Sequence, residues 1–103
     1  MQDKVLSLLS LANKAGKVVS GEFMTENEIK SEKAELVILA SDCSDNTKKK
    51  FKDMCDYRDI KLIEYSNKEE LGRFIGKEFR ACAAVLDHGF AASILKQLEN
   101  SND

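Results

Sequence analysis

Positions 36–40 read LVILA, a run of five apolar residues with Glu35 before it and Ser41 and Asp42 after it. An apolar run of this length between polar residues is typical of a β-strand that is covered on both faces. Strands of that kind occur in sheets that lie between two layers of helices. The run therefore predicts a central strand over residues 36–40 and a layered α/β fold around it.

Three other segments have the apolar or β-branched composition of strands. They are residues 17–20, 60–65 and 81–86. Five helices are predicted from apolar residues that recur every three or four positions. They cover residues 3–15, 22–33 and 44–57, a segment that starts near residue 66, and a last segment that starts at residue 88.

Capping residues are present at several of the predicted helix ends. Gly16 and Gly76 follow the last periodic residues of two helices, a position that favours glycine. Asp87 precedes the last helix and can cap its N-terminus. Ser66 and Glu69 form a Ser-x-x-Glu capping box, which predicts that Ser66 is the N-cap of the fourth helix.

Helices and strands alternate along the whole chain, with short connections between them. This order is typical of an α/β protein, and a length of 103 residues fits one domain. We therefore predict a single domain over residues 1–103, a three-layer α/β/α sandwich around a central four-stranded mixed sheet. Residues 100–103 are expected to fray.

The charge and hydropathy patterns narrow the class of protein. The chain has 16 basic and 18 acidic residues and a net charge of -2, so charge alone does not favour nucleic acid. No apolar run approaches the roughly 20 residues that span a bilayer, and the first ten residues lack the basic segment and cleavage site of a secretory signal. We predict a cytoplasmic protein with no membrane partner.

The sequence offers little for catalysis. Cys43, Cys55 and Cys82 are odd in number and lack a Cys-x-x-Cys spacing, which predicts small buried side chains rather than disulfides or metal ligands. A Cys82–His88 pair is the one nucleophilic arrangement left open. No glycine-rich phosphate loop is present. We therefore predict a protein that is not an enzyme and that needs no cofactor or metal.

Several strings along the chain resemble the ribosomal L7Ae/L30e family. They are Gly21 followed by a polar helix, AELVILASD at 34–42, LGRFIG at 71–76 and AAV at 83–85. The resemblance extends from residue 8 to about residue 98, and Leu-Gly-Arg-x-x-Gly is its most specific part. The chain looks closest to the bacterial, ribosomal-protein-like branch. The family has an α/β/α sandwich fold and binds RNA kink-turns or related internal loops.

The family's RNA-reading signature, G-x-N-E-x-x-K, is largely replaced here. Gly21 matches its glycine, but Phe23, Met24 and Asn27 stand at the asparagine, glutamate and lysine positions. In the family the asparagine and glutamate hydrogen-bond the guanines of sheared G·A pairs, which Phe23 and Met24 cannot do. Phe23 can instead stack on an unpaired base, or both residues can serve packing alone.

The family's second contact region is the loop before the last strand, here residues 76–82. Phe79 can support a flipped-out base, while Lys77 and Arg80 can neutralise phosphates. A helix N-terminus, such as the one after Gly21, can also hold a phosphate without net basic charge. The RNA-binding residues that the resemblance implies are Lys14, Lys17, Gly21, Glu22, Phe23, Asn27, Lys30, Asp42, Lys77, Phe79, Arg80 and Ala81.

The resemblance implies a non-enzymatic RNA-binding protein whose partner is ribosomal RNA or another kink-turn RNA, and it does not suggest DNA. Ribosomal proteins are the other partners it suggests. The alternative is a protein-interaction or ribosome-assembly factor that keeps the fold and has lost kink-turn recognition. The missing signature residues and the slightly acidic composition support that alternative.

Overall fold

The computed structural model describes residues 3–101. Helices and strands alternate along these residues. The elements are α1 (Lys4–Lys14), β1 (Val18–Ser20), α2 (Glu22–Lys30), β2 (Leu36–Leu39), α3 (Asp45–Arg58), β3 (Lys61–Glu64), α4 (Lys68–Phe74), β4 (Cys82–Val85) and α5 (His88–Ser101).

The four strands form one mixed sheet in the order β1-β4-β2-β3. β4 is antiparallel to both of its neighbours, while β2 and β3 are parallel. β1, β2 and β3 therefore run in one direction and finish at the end of the sheet where β4 begins. We call this end the upper end of the sheet, and the opposite end the lower end.

Two apolar cores lie on the two faces of the sheet. Leu36 and Ile38 of β2 belong to the core beneath α1, α4 and α5. Val37 and Leu39 point the other way, because side chains alternate along a strand, and belong to the core beneath α2 and α3. The predicted three-layer sandwich and the predicted burial of the central strand are both confirmed.

Most of the predicted helix ends are also confirmed. Gly16 and Gly76 have positive φ angles of 74° and 75° directly after α1 and α4. The carboxylate of Asp87 accepts a hydrogen bond from the backbone N–H of Phe90 at 2.9 Å, as an N-cap does. These residues end or begin helices where the sequence signals placed them.

The predicted capping box of α4 is wrong by one residue. Asn67 is the N-cap, and its side-chain oxygen accepts from the backbone N–H of Glu70 at 2.8 Å. Ser66 has a φ of 63° and lies in the preceding turn, where its carbonyl accepts from the backbone N–H of Ser41. The turn after β3 uses Ser66, so the helix starts one residue later.

The remaining differences concern element lengths. α2 ends at Lys30 rather than at residue 33, because Glu32 takes a left-handed conformation with a φ of 59°. α5 continues to residue 101 and so includes two of the residues that were expected to fray. Residues 102–103 lie outside the described part. No helix between residues 3 and 101 is both long and apolar enough to cross a membrane.

Candidate nucleic-acid interface

The loops at the upper end of the sheet are held side by side by backbone hydrogen bonds. The N–H of Gly21 donates to the carbonyl of Cys82 at 3.0 Å, and the N–H of Ala40 donates to the carbonyl of Ala81 at 2.8 Å. The N–H of Arg80 donates to the carbonyl of Lys68 at 3.1 Å. The loops after β1 and β2 and the loop before β4 therefore form one continuous surface.

Gly21 makes the turn from β1 into α2. Its φ of 88° and ψ of 158° belong to a region that is essentially restricted to glycine. It offers no side chain to cap α2, and the N–H groups of residues 22–24 have no acceptor among the described residues. The positive end of the helix dipole is therefore open at this surface.

Two glycines shape the loop of residues 75–81. Gly76 has a φ of 75° and turns the chain away from α4. A Cβ on Gly72 would lie 2.7 Å from the carbonyl oxygen of Glu78, so only glycine lets the loop pack against α4. The N–H of Lys77 also donates to the carbonyl of Gly72 at 2.8 Å. The Leu-Gly-Arg-x-x-Gly string thus fixes the path of this loop.

The guanidinium of Arg80 lies over the Gly21 turn. Its Nε donates to Oγ of Ser20 at 3.0 Å, and its Nη1 donates to the carbonyl of Phe79 at 2.8 Å. A Cβ on Gly21 would be 3.9 Å from the same Nε. A fixed cation therefore lies next to the open positive end of α2, and an anion bound there would interact with both.

Exposed apolar side chains are concentrated at the same surface. Within residues 3–101 the large apolar side chains that are exposed are Leu11, Phe23, Met24, Tyr57 and Phe79. Phe23 is 75% exposed, Phe79 58% and Met24 44%. Phe23 and Met24 follow the Gly21 turn in α2, and Phe79 lies in the loop of residues 75–81. A cluster of exposed apolar groups usually marks an interaction site.

A groove of about 350 Å³ adjoins this surface along β1. We call it the β1 groove. Its lining residues are Asn13, residues 18–20, Met24, Lys77 and Arg80. The side-chain amide of Asn13 donates to the carbonyl of Ile75 at 3.2 Å and so joins the end of α1 to the loop. None of the lining residues is acidic.

The α2–α3 face has a different charge pattern. Glu26 and Glu64 are each hydrogen-bonded to two lysines, which hold the pKa of both carboxyls below its ordinary value. The lysines are Lys50 and Lys30 on Glu26, and Lys52 and Lys48 on Glu64. Lys77 and Arg80 have no such acidic partner within residues 3–101. The cations beside the β1 groove therefore keep their charge available for a ligand.

Lys14 and Lys17 do not line the groove. Lys14 is exposed in the last turn of α1, next to Asn13. Lys17 lies at the lower end of β1, where its carbonyl accepts from the backbone N–H of Leu86 at 2.8 Å. Lys17 is therefore separated from Gly21 by the length of β1.

The three polar residues of α2 that the sequence suggested are spread along the helix. Glu22 is exposed in the first turn, beside the open helix end. Asn27 is exposed further along the helix, and Lys30 lies in the last turn, 3.2 Å from the carboxylate of Glu26. Only Glu22 lies directly at the Gly21 turn.

Asp42 and Ala81 both lie at the upper end, and both support the structure. The carboxylate of Asp42 accepts from the backbone N–H of Lys68 at 2.9 Å, so it holds the start of α4. Ala81 is half-buried, and its carbonyl accepts from the backbone N–H of Ala40, the residue after β2. Sequence reasoning did not identify Asn13 and Ser20 as residues of this surface, and it did not identify the packing role of Gly72. Of these three residues only Gly72 had a signal in the sequence, which is its place in the Leu-Gly-Arg string.

The Cys82–His88 pair does not form. Cys82 begins β4 and His88 follows its far end, so the two residues lie at opposite ends of the sheet. Burial raises the pKa of the Cys82 thiol to about 11, while His88 is exposed, with Nδ1 3.3 Å from Glu35. All three cysteines are free and buried, as predicted.

The fold is a small α/β/α domain of the kind found in ribosomal proteins. The chain belongs to the ribosomal protein L7Ae/L30e/S12e/Gadd45 family, whose model matches residues 3–95. The family resemblance that the sequence suggested is thereby confirmed.

Individual relatives match over nearly their whole length. The RNA-binding protein YlxQ of Bacillus subtilis (strain 168) is 46% identical over 92 residues, covering 89% of this chain and 92% of the relative. The large ribosomal subunit protein eL30 of Methanosarcina mazei is 35% identical, covering 86% of this chain and 84% of the relative. A solved protein of unknown function from Bacillus halodurans C superposes with a TM-score of 0.91 at 36% identity, covering 95% of this chain and 99% of that one.

Proposed function

We propose that this protein binds structured RNA through the upper end of its sheet and that it acts by binding rather than by catalysis. The observation that carries the proposal is the Arg80 guanidinium, held by Ser20 next to the open N-terminus of α2, on a surface that also exposes the aromatic side chains of Phe23 and Phe79. Aromatic faces stack on unpaired bases, and a fixed arginine binds phosphate. Family membership and the name of the YlxQ relative point to the same ligand.

The RNA that fits this surface best is a kink-turn or a similarly bent internal loop. A sharp bend brings phosphates close together and leaves bases unstacked, so it presents both groups that the surface can bind. Phe23 and Met24 offer no side-chain hydrogen bonds to G·A pairs, so recognition depends on shape and stacking more than on base edges. Ribosomal RNA is the first target to test. Binding to ribosomal RNA would place the protein with ribosomes in the cytoplasm.

A gel-shift titration tests the proposal. The probes are a kink-turn RNA and a straight RNA duplex of the same composition, at one fixed salt concentration because phosphate contacts depend on salt. We expect tighter binding of the bent RNA, and weaker binding by Arg80→Ala and by Lys77→Ala. Lys61→Ala is the matched control, because Lys61 is exposed at the lower end of β3. Equal affinity for both probes, or no change in the Arg80 and Lys77 variants, contradicts the proposal.

The exposed Phe23 and Met24 also favour a second candidate function. Apolar side chains at signature positions fit a protein partner as well as a base. A protein that co-purifies after nuclease treatment, and is lost in a Phe23→Ala variant, supports an assembly factor. Loss of all partners on nuclease treatment supports RNA binding.

A further inference from the structure

The β1 groove runs along the free side of an edge strand. Within residues 3–101 β1 pairs only with β4, so its other side is unpaired in the described part of the chain. Residues 18, 19 and 20 all line the groove, although their side chains alternate between the two faces of the sheet. Three consecutive residues can line one groove only if the groove touches the strand from its side, where the backbone groups are.

The pairing with β4 shows which backbone groups face the groove. The N–H of Leu86 donates to the carbonyl of Lys17, and the N–H of Gly21 donates to the carbonyl of Cys82. In an antiparallel pair, hydrogen-bonded positions alternate, so residues 17, 19 and 21 point toward β4. The N–H and C=O groups of Val18 and Ser20 therefore point away from β4, toward the groove, and have no hydrogen-bond partner among residues 3–101.

Charge favours an anionic occupant. Lys77 and Arg80 line the groove, and none of the described residues that line it is acidic. A guanidinium has five N–H donors, and Arg80 uses two of them within the protein. The groove also shares Met24 and Arg80 with the upper-end surface, so one bound chain can occupy both.

We propose that the β1 groove binds the sugar–phosphate backbone of an RNA strand that continues from the bent segment. Lys77 and Arg80 bind its phosphates, and the free peptide groups of Val18 and Ser20 bind ribose 2′-hydroxyls. The inference rests on the proposed RNA-binding function and extends it to a second subsite.

A 2′-hydroxyl is both donor and acceptor, which suits neighbouring N–H and C=O groups on a strand edge. An extended peptide could also pair with these groups. Backbone pairing with a peptide does not, however, account for the two basic residues, Lys77 and Arg80, that line the groove. The consequence is selection of RNA over DNA at this subsite. Backbone contacts of this kind are independent of base sequence.

The first experiment uses a kink-turn RNA with a short single-stranded extension and the same RNA with deoxyribose in the extension only. Wild-type protein should bind the ribose extension more tightly, by roughly two- to tenfold for each hydrogen bond of ordinary net strength. Val18→Pro removes the N–H that faces the groove and keeps the bonds to β4, since proline is tolerated where the N–H side of an edge strand is open. This variant should show a smaller preference for ribose.

The second experiment does not depend on whether the proline variant folds. Backbone amide NMR of the wild-type protein should show shifts, and slower hydrogen exchange, at Val18 and Ser20 when the extended RNA is added. The amide of Val19 is the internal control, because it points toward β4.

Each outcome separates the two proposals. If the wild-type protein binds neither RNA, the proposed function and this inference both fail. If it binds both RNAs equally and the amides of Val18 and Ser20 do not respond, only the inference fails. If a synthetic acidic peptide shifts those amides and RNA does not, the groove is a protein-docking edge and the inference is overturned.

Discussion

Ser20 accepts a hydrogen bond from Nε of Arg80, a residue 60 positions later in the chain, at 3.0 Å. The bond joins the end of β1 to the loop before β4. It holds the guanidinium beside the Gly21 turn before any ligand is present. An arginine fixed in this way loses less side-chain entropy on binding than a free one, so Ser20 is a positioning residue for Arg80.

Arg80→Ala should weaken RNA binding by roughly tenfold to a hundredfold, or about 1.4–2.8 kcal/mol, because hydrogen bonds to charged groups are strong. Ser20→Ala should have a smaller effect, since it frees the guanidinium without removing it. Gel-shift titrations of both variants at one salt concentration measure the difference. If Ser20→Ala weakens binding as much as Arg80→Ala does, the Ser20 hydroxyl contacts the RNA itself and does not act through Arg80.

Phe79→Ala and Phe23→Ala should each reduce RNA affinity by about 1–3 kcal/mol, the usual value of stacking one base on an aromatic side chain. Thermal stability should change little, because both rings are largely exposed. Tyr57→Ala is the matched control, since Tyr57 is 85% exposed in α3, away from the Gly21 turn. Equal losses in all three variants would indicate nonspecific effects.

Gly72→Ala should destabilise the fold by about 1–3 kcal/mol, as overpacking in a tight site does. The added methyl would meet the backbone carbonyl of Glu78, and the backbone cannot rotate away as a side chain can. The loop would move, so RNA affinity should fall too. Gly89→Ala is the control for RNA affinity, because its methyl would meet the capping carboxylate of Asp87, 3.2 Å away, at the lower end of the sheet. Urea unfolding and RNA titration of the two variants check this prediction.

Stability should fall as the pH rises from about 9 to 11. Burial raises the pKa of the Cys55 and Cys82 thiols from 9.0 to about 11. A raised pKa in the folded state means that the stabilising contribution is complete below pH 9 and is lost as the pH passes 11.

Urea unfolding across this pH range measures the loss of stability, and Cys82→Ala should reduce its slope. Burial raises the pKa of Tyr65 to about 12, with the hydrogen bond to Asp3 as a second cause. The effect of Tyr65 falls between about pH 10 and pH 12 and overlaps that of the cysteines above pH 10, so Tyr65→Phe is needed to separate the two. Rapid reaction of the native protein with a thiol reagent at pH 8 would show that the cysteines are accessible, contrary to the structure.

The sequence alone determined the elements and their layers. An apolar run at 36–40 predicted the central strand, and helical spacing predicted five helices, because periodicity reports which side of an element is buried. The apolar patterns of α1 and α4 end just before Gly16 and Gly76. A glycine at the end of a helix commonly takes a positive φ, as both of these do. Ser66 and Asn67 are both possible N-caps of α4 in the sequence. Asn67 is the cap in the structure because Ser66 is part of the turn after β3.

Only the tertiary structure decided which charged residues share the candidate site. Lys17 and Lys30 lie near Gly21 in the sequence. The length of β1 nevertheless separates Lys17 from Gly21, and the length of α2 separates Lys30 from it. Ser20 and Arg80 are distant in the sequence and meet because β1 pairs with β4. Local patterns carry information over a turn or two of chain, whereas strand order brings together residues that no local pattern connects.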